Sequence, residues 1–554
     1  MFRKRDPNGL LFETSNLIPD DKAKRLRNSW AEAFRNKALP LIDEDPFAPM
    51  FCDDNGRPNR PAETVIGVLI LKEMFNLTDE EALEHLEYNL LWHHALRLPM
   101  EEAHLCQKTL HNFRVRLIEH DGGRLAFESV TDAIIKALGV RVTRQRLDST
   151  HILSNFAVLT RLGLFCETIR VFLSELKKER PRLFGRVPAG LWGRYLKEDG
   201  TETAYKDARS DQARRRLAVC GRDVYRLIEL FRNKKAARLK SYKLLERLFE
   251  EQCDVQPRPQ QPKDDDDDAS EGGVPVKVKP PEEVESDSLQ TPHDPDVTYS
   301  GHKGKGYEVQ VTETCHEDNP VEIITQVEVT DACESDAHAT IPTIEALEER
   351  DLRPDELVAD TAYGSAENAV EAERVGTEVV SPVGGSSSEG EEERDEEGEL
   401  TAADFDIDAG YARPTTCPGG QEAVKEVELP DNPNRVEIVF EKEKCEACPL
   451  FHRCPARFNK REDGYVLKAT LIRINLEKRR RAEASGEFNE RYAIRAGVEA
   501  TNSELKRKHG LGKLRIRGRP RVELAVYFKA LACNFKRMLR ACMAEIPAVC
   551  AEPA

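Results

Sequence analysis

Charge in this chain is segregated along its length, and that segregation limits how it can fold. Asp264 to Asp268 is a run of five Asp inside a segment, Gln256 to Asp296, with many Pro, Asp and Glu and few apolar residues. A second stretch, Gly384 to Asp408, passes through Ser386-Ser387-Ser388 into an acidic run from Glu389 to Glu397. Neither stretch has enough apolar surface to bury, so both read as solvated linkers. Whatever packs must be assembled from the pieces between them. The two runs supply much of the negative excess in a chain with 100 Asp+Glu, 83 Lys+Arg and a formal net charge of -17. From Pro455 to Ala541 the balance reverses, with 23 Lys+Arg against 9 Asp+Glu. Such an excess suits a surface that meets a phosphate backbone, although a solvated basic helix bundle would carry it equally well.

At 554 residues the chain has room for three or four domains. Its longest uninterrupted apolar stretch, Val65 to Leu71, is far short of the ~20 residues of a membrane-spanning helix. No apolar segment follows Met1-Phe2-Arg3-Lys4-Arg5, so the cytoplasm is the expected compartment and the 14 Cys are expected to be reduced.

The pattern along the chain predicts helices over the first ~125 residues. Pro61 precedes a helix with apolar residues Val65, Leu69 and Met74. Thr78 and Glu81 form a capping box for the next, and Leu110, Phe113 and Leu117 mark a third with Lys108, His111, Arg114 and Arg116 largely off that face. Three short helices ending in a basic one suit a helix-turn-helix DNA-binding domain, or a plain helical scaffold. Strand patterns begin at Val142 to Asp148 and resume only at Tyr307 to Val311 and Ile323 to Val329. A helix near Asp336 to Glu349 and a strand at Glu356 to Asp360 follow. Expected domains are therefore 1–125 (helical, DNA-binding), 126–160 (first part of an α/β core), 161–255 (helical insertion), 256–296 (acidic linker), 297–375 (second part of the core), 376–465 (insertion with the acidic run and a Cys cluster) and 466–545 (C-terminal helices).

Two Asp sit where strands are expected to run out: Asp148 in Arg146-Leu147-Asp148-Ser149, and Asp360 in Val358-Ala359-Asp360-Thr361. On neighbouring strands they could share one cation, because ligands in open sheets gather at strand ends; a turn or cap role is the plainer reading for either one. Further on, Tyr492, Arg495, Glu499 and Lys506 fall within a stripe about 60° wide on a single continuous helix. That face is either a solvated set of salt bridges or an acid beside three phosphate-gripping groups. Cys417, Cys445, Cys448 and Cys454 have the C-x27-C-x2-C-x5-C spacing of a structural four-sulfur Zn²⁺ site, or are incidental.

Asp148, Asp360 and Glu499, with the Tyr-x2-Arg-x3-Glu-x6-Lys arrangement, resemble the catalytic set of the DDE transposases of bacterial insertion sequences, in the group marked by a Tyr-Arg-Glu-Lys signature. Gly304-Lys305-Gly306-Tyr307 and Ala359 to Asn368 are similar to that family as well, so the resemblance spans most of the chain. It implies an α/β fold: a ribonuclease-H-like core with a mixed five-stranded sheet, split by long insertions, plus an all-α N-terminal domain. The implied activity is transposition by phosphoryl transfer, with Asp148, Asp360 and Glu499 holding two Mg²⁺ or Mn²⁺ ions. Tyr492, Arg495 and Lys506 would contact double-stranded DNA at the element ends and target, with a homodimer in the synaptic complex. Related transposases often carry a Cys cluster between the second and third acids. Two other readings share these residues: a transposase-derived DNA-binding protein with idle carboxylates, and a ribonuclease-H-like nuclease that cuts without joining.

Overall fold

The computed structural model describes residues 2–5, 18–52, 59–197, 205, 212–255, 276–384, 400–407, 413–429, 432–484 and 486–544; the Asp264–Asp268 and Ser386–Glu397 runs lie outside them. At its centre is a mixed sheet of six strands: β1 (Arg144–Ile152), β2 (Thr298–Ser300), β3 (Gly304–Thr314), β4 (Ile324–Asp331), β5 (Glu356–Val358) and β6 (Glu378–Val380). β3 pairs antiparallel with β1 and with β4, and the short β2 joins β3 ahead of β4. β1 pairs parallel with β5, and β5 with β6. Three antiparallel strands followed by two parallel ones, with helices Thr340–Glu348 and Ala366–Arg374 forming the crossovers, is a ribonuclease-H-like order. β2 is the strand in excess of the five expected.

Burial explains the strand composition. β3 is buried along nearly its whole length, because it is covered on both faces and flanked by strands on both edges. Helices Gly122–Leu138 and Arg519–Ala544 cover one face, Ala62–Met74 packs on the latter, and a single apolar core runs from Phe34 and Trp92 through Val309 and Val311 to Phe535 and Leu539. The N-terminal helices are thus packed into the same core as the sheet. Thr78 and Glu81 do form the reciprocal cap of helix Asp79–Tyr88. Leu110, Phe113 and Leu117 are the buried residues of helix Gln107–Glu119.

Two further bodies interrupt the core. Among the described residues of 161–255, helices Arg161–Glu179, Ala213–Phe231 and Lys240–Gln252 pack around their own apolar cluster, which includes Phe172, Phe231 and Tyr242. The second body is a four-stranded antiparallel sheet, Lys425–Leu429, Asn432–Glu441, Arg457–Asn459 and Gly464–Thr470. The expected linker is shorter than 256–296, since Val276–Val278 pairs with Cys253–Val255 and Leu289 enters the insertion core. Buried Asp294 accepts a hydrogen bond from Tyr307 at 2.8 Å and another from Ser154. A few apolar and hydrogen-bonding residues suffice to dock a stretch whose average composition is that of a linker.

Candidate active site

One buried carboxylate organises the region around Asp148. Arg146 and Glu313 are direct cross-strand partners on β1 and β3. Arg146 donates from Nε and Nη2 to Glu313 Oε1 at 2.8 and 2.7 Å. Arg537 of the C-terminal helix and Thr501 of helix Ala496–Lys508 donate to Glu313 Oε2 at 2.8 and 2.7 Å. Glu313 is fully buried, so this pairing offsets a desolvation cost that a lone carboxylate could not bear. It also clamps both helices onto the sheet.

Arg146 has a second partner, donating from Nη1 to the carbonyl of Ile494 at 2.7 Å. At that point the expected continuous helix is broken: Gly486–Ala493 and Ala496–Lys508 are separate helices joined by a tight turn, with Arg495 N bonded to Tyr492 O and Gly497 N to Ile494 O. Gly497 permits this contact, because a Cβ there would lie 2.0 Å from Arg146 Nη1. Tyr492 and Arg495 consequently stand on the first helix and the joint, while Glu499 and Lys506 stand on the second.

Asp148 lies in the middle of β1 and not at its end, opposite Val311. It is two residues beyond Arg146, hence on the same sheet face, beneath helix Ala496–Lys508. Asp360 follows β5 by two residues. Because Arg146 pairs with Val358, the same step along both parallel strands sets the two Asp side by side. Asp360 also closes a turn, accepting from Ala362 N at 2.9 Å, so its turn role and its place at the site coexist. Glu499 reaches the pair from the first turn of its helix.

All three acids meet one guanidinium. Arg495 Nη2 is 3.2 Å from Asp148 Oδ1 and 3.8 Å from Asp360 Oδ2, and Nη1 is 3.2 Å from Glu499 Oε1. The Asp148 side chain is 14% exposed and Glu499 67% exposed, so the cluster grades from a buried floor to an open rim. Burial raises the Asp148 pKa above the ordinary carboxylate value; Arg495 opposes that shift, and Asp360 and Glu499 add to it. Such a group of oxygens calls for a cation, which Arg495 supplies here. Asn502 Nδ2 donates to Asp148 Oδ2 at 3.0 Å and fixes the carboxylate's orientation. Tyr492 stacks on Phe488 with ring centroids 5.5 Å apart. Half-buried Lys506 has its pKa lowered by burial and feels the charges of Glu308, Lys303 and Asp148.

Beside Asp148, Ser149 donates to Asp336 Oδ2 at 3.2 Å and accepts from Lys303 Nζ at 3.0 Å. Lys303 also pairs with Glu308 at 2.7 Å, and the three charged residues line a polar cavity of about 320 Å³ that reaches Ala362. Of these neighbours, Asn502 could have been anticipated, being one helical turn from Glu499. Arg146, Glu313 and Asp336 could not, because their meeting depends on strand register.

Cys417, Cys445, Cys448 and Cys454 line a second cavity, of about 30 Å³, with Phe405, Phe440 and Tyr465 around it. That volume accommodates one small ion. Burial pushes the Cys445 thiol up to about 11, and neighbouring Cys454, Cys417 and Cys448 push in the same direction. Without a cation Cys445 therefore stays protonated, whereas a dication would favour its thiolate, the donor that suits Zn²⁺. Glu504, His509 and Cys533 also bring ligand atoms within 4.8 Å of one another. Glu504 is already paired with Lys508 at 3.2 Å, Arg537 at 3.4 Å and Arg540 at 3.8 Å. The Cys533 thiol is pushed up to about 12 by burial. That trio reads as structural.

A ribonuclease-H-like sheet with three acids gathered from two adjacent parallel strands and an overlying helix defines a polynucleotidyl transferase or nuclease. Residues 416–539 match the family described as "Transposase DDE domain", and residues 21–116 match "Transposase domain (DUF772)". Both matches are to transposase families, and together they support a DDE-type insertion-sequence transposase. The first match contains the four Cys and the Tyr492 to Lys506 segment, while Asp148 and Asp360 lie outside both. No curated protein and no solved structure is significantly similar to the chain.

Gly497→Ala is expected to lower stability by about 1–3 kcal/mol through overpacking against Arg146, whose guanidinium is held by Glu313 and cannot swing away. In an exposed helix the same change would stabilise by about 1 kcal/mol, so the sign is informative. A urea midpoint that stays or rises would show that Arg146 does not pin the joint.

Proposed function

We propose that this transposase binds the ends of an insertion element in double-stranded DNA, cleaves them and joins them to target DNA at Asp148, Asp360 and Glu499. The observation that carries the reading is the convergence of the three acids on Arg495. Asp148, Asp360 and Glu499 would hold two divalent cations, Mg²⁺ or Mn²⁺, because their carboxylates are hard oxygen donors. Such ions, when bound, supply a deprotonated attacking oxygen and stabilise the leaving oxygen of an in-line displacement.

The chain's own groups do the rest. Asn502 holds the Asp148 carboxylate in one orientation. Arg495 neutralises the acids in the DNA-free protein and is within reach of a strand laid across the rim. Lys506 and Tyr492 flank that rim and would take backbone phosphates. The cysteines would hold a structural Zn²⁺ that ties Cys417 to the Cys445–Cys454 segment. Two element ends must be handled together, which favours a pair of chains. The cytoplasm is the proposed compartment; among the described residues no helix is long and apolar enough to cross a membrane.

Asp148→Ala, Asp360→Ala and Glu499→Ala are each expected to abolish cleavage of a plasmid carrying the element ends and joining to a target plasmid, while end binding in a gel-shift assay persists. A variant that still cuts and joins removes that residue from the site. Cutting without joining by the unaltered protein would favour a nuclease. For the Cys cluster, elemental analysis of protein purified without chelator should give about one Zn²⁺ per chain, lost on changing Cys445 and Cys448 to Ser. Absence of zinc from the unaltered protein contradicts the assignment.

A further inference from the structure

The helical insertion carries a charge pattern that the active site does not use. Residues 177–186 and 232–243 together hold eleven Lys+Arg and one acid, Glu179, in a chain that is acidic overall. The fold brings the two segments to one tip. Phe172 packs against Phe231 and Tyr242, with ring centroids 5.7 and 5.9 Å apart, so the end of the first helix meets the turn between the other two. Glu175 accepts a hydrogen bond from Ser241 N at 3.3 Å, closing that end. Lys178, Arg182, Lys234, Lys235, Arg238 and Lys240 are exposed there, and none has an ion pair among the described residues.

Helix stability accounts for part of this pattern only. Lys177 and Lys178 complement the C-terminus of helix Arg161–Glu179. Lys240 and Lys243 occupy the first turn of helix Lys240–Gln252, where the helix dipole disfavours cations, and Lys234, Lys235 and Arg238 lie in and just before the short 3-10 turn Lys235–Arg238 ahead of it. Crowded like charges at the wrong helix end cost stability, and a polyanionic partner would offset that cost. The insertion is rooted near the sheet, where Arg161 Nε donates to Gln252 Oε1 at 2.8 Å. The nineteen residues of its first helix span about 28 Å from that root toward the tip, the length of about eight base pairs of duplex.

We propose that this tip is a second DNA-contacting surface, which takes the phosphate backbone of a duplex without reading its sequence. The inference rests on duplex DNA being the substrate. It is tested with the full chain by measuring affinity for a duplex of about 40 base pairs of arbitrary sequence as a function of salt. The variants are the neutral triple K234Q/K235Q/R238Q and the reversed triple K234E/K235E/R238E, with thermal melts alongside. The neutral triple should bind more weakly, with a log–log salt slope shallower by about 2–3, and the reversed triple should bind at least about tenfold more weakly at 0.1 M salt. Unchanged affinity and slope in both would overturn the proposal while leaving the active-site reading intact. So would a preference of the unaltered protein for phosphatidylserine vesicles over the duplex. Failure of the unaltered protein to bind duplex at all would overturn both readings.

Discussion

Glu313 is the constraint on which the rest of the site depends. A carboxylate with no solvent contact must be matched by cationic and hydrogen-bonding donors, and these are Arg146 of β1, Arg537 of the C-terminal helix and the Thr501 hydroxyl of helix Ala496–Lys508. Removing one side of such a buried pairing costs about 3–5 kcal/mol, so segments separated by more than three hundred residues are held in one arrangement. Arg146 passes that constraint on: its Nη1 donates to the Ile494 carbonyl, and the helix joint formed there sets Arg495 beside Glu499 and the sheet acids. Positioning of the third acid is thus set from the sheet outward.

Electrostatics at the site follow from this geometry. Three acids close together would repel one another and, at Asp148, favour protonation. The Arg495 guanidinium lies where their fields add and lowers that tension without removing any acid from reach of water. Because Glu499 is the most exposed and Asp148 the least, the cluster is open on the side from which a DNA strand would approach. Phosphoryl-transfer chemistry places the same demand on such a site: fixed carboxylates on a rigid floor, with replaceable cations above.

How much could be read in advance depended on whether a feature was local. The Thr78–Glu81 cap, the buried face of helix Gln107–Glu119 and the alternation in β3 and β4 are set by near neighbours and were legible. Asp360 after its strand and the Tyr492 to Lys506 spacing were legible too. The sequence pattern puts Asp148 at a strand end because the polar residues Ser149, Thr150 and His151 hide a strand that continues to Ile152 and is flanked on both sides. The break at Ile494 was invisible, since the group that takes the carbonyl is an arginine on a strand some 350 residues earlier. Composition alone makes residues 276–296 look like linker, because it averages over Leu289 and Asp294, two residues that dock the segment.

The central claim is that the three acids and Arg495 form one electrostatic site, in which the guanidinium competes with divalent cations for the same oxygens. Calorimetric titration of Mn²⁺ into DNA-free protein tests this directly, comparing the unaltered chain with Arg495→Gln. Binding by the variant should be tighter by about tenfold, equivalent to about 1.4 kcal/mol, and should vanish when Asp148→Ala is added. Equal or weaker binding by Arg495→Gln, or binding that survives loss of Asp148, would contradict it.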